Sequence, residues 1–140
     1  MIFRKGQKVT LLQNWDHLGS VRIIDLVVYS CGAKQMVLVN EDGSKFGGMN
    51  FRPGVDQFGF SKVHPRLTPD AAVAMALDLG AAIVAYRRSG LERRIAKSGK
   101  TERDGYIKAC RLDLSRLHEP RIHNTMAAAQ ALITVAEAGR

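Results

Sequence analysis

Apolar positions change rhythm partway along this chain. Up to about Leu67 they fall in short runs with turn residues between them. Gln7 to Gln13 is a strand candidate, with Val9 and Leu11 alternating to one side. Val21, Ile23, Ile24, Leu26, Val27 and Val28 form a β-branched run that predicts a long strand from Val21 to Tyr29. Ser30 to Ala33 turns the chain, and QMVLVN from Gln35 to Asn40 predicts the next strand. Asp42-Gly43 is a hairpin signal that should return Ser44 to Phe46 antiparallel. Asn14 to His17 reads as a loop closed by Gly19, Phe51 to Phe60 as irregular, and Lys62 to Leu67 as a last short strand.

Beyond Leu67 the rhythm becomes helical. Thr68 can cap a helix, Pro69 suits its first position and Asp70 complements its dipole. Val73, Leu77 and Val84 make one ridge; Met75, Leu79, Ile83 and Tyr86 make a second; alanines fill the rest. A helix apolar nearly all round predicts burial at the centre, with a stop near Ser89-Gly90. A basic helix from Leu91 to about Lys97 follows. Thr101 caps another, with Asp104 three residues on, and Tyr106, Ile107, Cys110, Leu114 and Leu117 give it an apolar stripe. Pro120 starts or precedes a last helix, with Ile122, Met126, Ala129, Ile133 and Ala136 as its seam and Gly139 as its stop.

Composition supports the division. Alanine is almost absent before Leu67 and abundant after it, and all five Phe lie at or before Phe60. The expectation is an α+β protein: a small β-barrel over residues 1–66 packed on a helical bundle of three to four helices over 67–140, the two open to forming one composite domain. Three segments carry a family likeness: Lys5-Gly6-Gln7-Lys8-Val9, Gly19-Ser20-Val21-Arg22-Ile23-Ile24, and the hairpin Val37 to Ser44. Together they resemble an SH3-like small barrel of the KOW or Tudor kind, over residues 1–66 at most. The stretch Gly47 to Gly59 departs from that pattern, being longer and richer in glycine than the usual final turn. The resemblance implies binding of RNA, DNA or peptide without choosing among them.

Hydrophobic residues make up 46% of the 140, enough for a core. Two cysteines, Cys31 and Cys110, have no metal-ligand spacing and read as buried thiols in a reducing cytosol, with a disulfide left open. The N-terminus lacks the apolar core and cleavage site of a signal peptide, and the apolar run Ala71 to Tyr86 contains Asp78 and is short for a bilayer. A cytoplasmic protein is the expectation, with no membrane partner.

Charge adds the most. Between Arg87 and Arg111 nine Lys and Arg face three acids, giving net +6 of the chain's +8. On a helix Arg93, Lys97 and Lys100 lie near one edge, Leu91 and Ile95 on another, and Arg87 and Arg94 share a face one heptad apart. That pattern ties the apolar side to a core and leaves Arg87, Arg88, Arg93, Arg94, Lys97, Lys100 and Arg103, flanked by Lys108 and Arg111, for phosphates or an acidic partner surface. Lys45, Phe51, Arg52 and Lys62 mark a secondary surface, where Phe46, Phe51, Phe58 and Phe60 serve either as barrel core or as stacking platforms.

The catalytic motifs fail on spacing. Ser98-Gly99-Lys100-Thr101 mimics the end of a phosphate-binding loop, but the first glycine of that motif would fall at Arg94, in a helical context. His118 and His123 flank Pro120 and would diverge by roughly 140° on a helix, unlike a zinc pair four residues apart. Asp16-His17 has no nucleophile assigned to it by sequence. No reaction, metal or cofactor is expected. The expected function is a non-enzymatic nucleic-acid-binding accessory protein, for DNA or RNA. The alternative is a phage- or plasmid-borne inhibitor or adaptor that docks on a larger nucleoprotein machine. The Ala-rich helix or the final seam could equally bury a homodimer interface.

Overall fold

The computed structural model describes residues 3–14, 18–46, 61–97, 104–117 and 121–123, with 134 and 137–139 near the C-terminus. Strands β1 (Lys8–Asn14), β2 (Ser20–Cys31), β3 (Met36–Val39) and β4 (Lys62–Pro65) form an antiparallel sheet in the order β3-β2-β1-β4. Helix α1 (Pro69–Lys97) and helix α2 (Asp104–Arg116) follow, and strand β5 (Arg121–His123) returns to pair in parallel with the start of β2.

The central pair β1–β2 divides its apolar positions between two cores, as the two-residue period of a strand requires. Leu12, Val21 and Ile23 point to one face and pack with Ala72, Val73, Ala76, Leu79 and Ile83 of α1. Val9, Leu11, Ile24, Leu26 and Val28 point to the other, where Phe3, Met36 and Leu38 complete a second core edged by Phe46 and Val63. A register shift between Val28 and Ser30 lets β3 continue the pairing along β2. The predicted hairpin turn forms at Gly43, whose φ of 86° suits glycine. Asp42 locks it by accepting from the Ser44 backbone N–H at 2.9 Å and its hydroxyl at 2.6 Å. The return strand is reduced to one bridge, Val39 to Lys45.

Arg66 holds the sheet to the helix entry. Its guanidinium donates to the Val9 carbonyl at 3.2 Å and the Leu26 carbonyl at 2.9 Å, and it pairs with Glu41 at 2.7 Å and Asp25 at 3.5 Å. Thr10 is buried beside it, donating to Asp25 at 3.3 Å and accepting from the Leu67 N–H at 3.0 Å. Thr68 then caps α1, its hydroxyl accepting from the Ala71 N–H at 3.3 Å.

The helical half differs from expectation in four respects. First, the bundle of three to four helices is not formed: the described residues hold two helices and, in β5, a strand from the same half. The described sheet shares its first core with α1 across the Leu67 boundary. Second, α1 does not stop at Ser89-Gly90 but runs 29 residues to Lys97. A mid-helix glycine costs about 1 kcal/mol against alanine, whereas burying Leu91 contributes about 1.5–3 kcal/mol. Leu91 is buried with Val84 against Cys110 and Leu117 of the α2 segment. Third, α1 is not enclosed: Ala74, Leu77, Asp78, Ala81, Ala82 and Ala85 are exposed. Alanine there supplies helix propensity rather than core. By length and composition α1 could also cross a bilayer, a property it shares with core helices of water-soluble domains. Fourth, Ile122 lies in β5, opposite Val21, and packs on the first core instead of opening a helical seam. The remaining seam positions lie outside the described residues. The stripe is Ile107, Cys110 and Leu114 of α2 with Leu117 just after it, while Tyr106 is exposed. Both cysteines are free; Cys110 is buried and Cys31 only half-buried.

Candidate nucleic-acid interface

Because α1 continues past Gly90, the cations expected on a second helix stand on the last turns of the first. Arg87 and Arg94 form one row, Arg93 and Lys97 another, and at 100° per residue Gly90 falls between them. The two rows border a concavity of about 290 Å³ lined by Tyr86, Arg87, Gly90, Leu91, Arg93, Arg94 and Lys97. Its described lining contains four cations and no acid. Glu92, the acid within this stretch of α1, is exposed and does not line it.

Each part of the site has a local cause. Leu91 is buried beside α2 and fixes the rotation of the helix. Gly90 contributes no side chain, and a Cβ placed there would meet nothing within 4 Å, so the floor is open. Arg87 is half-buried, and among the described residues its Nε is enclosed without a hydrogen-bond partner. The C-terminus of a helix carries roughly half a negative charge, unfavourable for anions. Four positive side chains outweigh it, so the attraction comes from side chains and not from backbone amides.

The other expected positions are dispersed. Arg88 is exposed but does not line the concavity, and neither do Lys108 and Arg111, which are exposed on α2. Lys100 and Arg103 lie outside the described residues, as do Phe51 and Arg52 of the secondary surface. Lys45 bridges to β3 and Lys62 stands in β4, at the two ends of the strand order. Lys62 instead lines a second concavity between β4 and α1, with His64, Met75 and Asp78. The phosphate-loop likeness finds no strand before it, because α1 is helical through Arg94. Among the described residues no group of three or more His, Cys, Asp or Glu could hold a metal ion.

Sequence reasoning missed Tyr86 and Gly90 as parts of the site, taking one for a core ridge and the other for a stop. Their four-residue spacing, followed by Arg93-Arg94, places all of them on one helical face once the helix is continuous. Comparison with known families, with curated proteins and with solved structures finds no match for this chain.

Proposed function

We propose that the protein is a non-enzymatic nucleic-acid-binding accessory protein that contacts phosphates through the last turns of α1. The observation that supports this reading is the concavity lined by Arg87, Arg93, Arg94 and Lys97, with no acid among its described lining residues. Guanidinium forks suit phosphate oxygens, and locally uncompensated positive charge draws a polyanion. Free thiols at Cys31 and Cys110 suit a reducing, cytoplasmic setting.

Electrophoretic mobility shift with DNA and RNA probes tests the proposal. The expected result is binding by the wild-type chain and its loss in the charge-reversal variant Arg93→Glu/Arg94→Glu/Lys97→Glu. All three residues are exposed, so the variant should keep the fold, as circular dichroism will report. Equal binding by a folded variant would overturn the assignment of the site. The docking alternative draws on Leu77 and Tyr86, large apolar residues exposed on the same helix at 36% and 66%. Capture of a single protein that survives nuclease treatment, with no mobility shift, would favour it.

A further inference from the structure

We infer that the α1 concavity accepts single-stranded polynucleotide in preference to duplex, with one base stacked on Tyr86 and the adjoining phosphates held by Arg87, Arg93, Arg94 and Lys97. This rests on the nucleic-acid reading above and adds the form of the ligand. Three features carry it.

The first is an aromatic ring at the mouth of a cationic site. Tyr86 lines the concavity and is 66% exposed. Duplex bases are already stacked on one another and present only their edges, whereas unpaired bases offer a face to an aromatic side chain. An aromatic platform beside a positively charged groove is the combination that single-strand binders use. The second is shape. A concavity of about 290 Å³ lies at the lower end of small-molecule sites, which suits one nucleotide unit better than the convex side of a double helix. The third is the floor. Gly90 sits one turn from both Tyr86 and Arg94, and the absence of its side chain leaves the space between ring and cations open. From Tyr86 to Lys97 the site runs about 16 Å along the helix axis, a track for a short stretch of one strand.

The test is fluorescence anisotropy with labelled oligothymidine, its oligouridine counterpart and a duplex of equal length, at one fixed salt concentration. Single strands should bind at least tenfold tighter than duplex, and the DNA and RNA arms show whether the sugar matters. Tyr86→Leu should weaken single-strand binding by about 5- to 150-fold while leaving duplex binding unchanged, and Tyr86→Phe should restore it. Gly90→Leu should close the floor and weaken single-strand binding, with helicity kept, because leucine is a good helix former and a Cβ has room. Circular dichroism confirms that each variant is folded. Equal affinity for single strand and duplex, with no effect of Tyr86→Leu or Gly90→Leu, overturns this inference and leaves phosphate binding standing. Absence of binding to any probe removes both.

Discussion

Gly90→Ala separates two accounts of α1 by the sign of its effect. If the helix ended at Ser89-Gly90, the glycine would take the left-handed conformation of a C-terminal cap, and alanine there would cost about 1–2 kcal/mol. In the structure the helix continues two turns further, and Gly90 is not among the glycines with positive φ. Alanine in a helix interior is favoured over glycine by about 0.8–1 kcal/mol, and a Cβ at this position touches nothing within 4 Å. The substitution should therefore stabilise the protein by about 0.8–1 kcal/mol, raising Tm by about 2–5 °C for a domain of this size. Urea denaturation followed by far-UV circular dichroism reads the difference as a shift in midpoint at constant slope. A midpoint that falls, or does not move, would refute the continuous helix and with it the grouping of Arg87, Arg93, Arg94 and Lys97. Stabilisation accompanied by weaker nucleic-acid binding would show that the glycine is kept at the expense of stability.

Other consequences concern the frame that holds the site. Leu91→Ala removes a side chain buried between α1 and α2 and should destabilise by about 2–5 kcal/mol in the same urea assay; near-neutral behaviour would mean the two helices are not packed there. Arg66→Ala breaks the bonds to the Val9 and Leu26 carbonyls and the pair with Glu41, for a loss of about 1.5–3 kcal/mol. Amide exchange should then quicken first around β1 and β2, and uniform exchange would count against the clasp. Asp42 has its carboxyl held below its ordinary value of 3.8 by the Ser44 hydroxyl and then by the Ser44 N–H. Its folded value lies below its unfolded one, so its contribution to the hairpin is complete above 3.8 and is lost as pH falls through the lowered value. A carboxyl titration by NMR that places Asp42 at or above 3.8 would contradict that geometry.

The sheet was legible because its signals are local. β-branched runs, Asp42-Gly43 and the Thr68-Pro69-Asp70 start specify elements within a few residues, and β1 to β4 form close to where those signals put them. What the sequence concealed depends on tertiary contact. Ser89-Gly90 is a real local break signal, overridden because Leu91 finds Cys110 and Leu117. Ile122 fits a helical seam by spacing, yet the free edge of β2 beside Val21 captures it as a strand. Ala74, Ala81, Ala82 and Ala85 on α1 look like core by hydropathy and turn out to be exposed helix formers, whereas Ala72 and Ala76 are core. The cationic residues were visible as a run, but which of them share a concavity was not. Arg88 and Arg87 are neighbours in sequence, and only one lines it.

If the four cations on the last turns of α1 hold phosphates, binding must weaken steeply as salt rises. Each phosphate neutralised contributes roughly 0.7 to 0.9 to the slope of log K against log salt, so four contacts give a slope of about −2.8 to −3.6 and about a 50- to 150-fold loss of affinity per fourfold rise in salt. The wild-type chain should show a slope in that range, falling in magnitude by about 1.4 to 1.8 in Arg93→Gln/Arg94→Gln. A slope near zero, or one that the double substitution leaves unchanged, would mean that these cations do not hold phosphates.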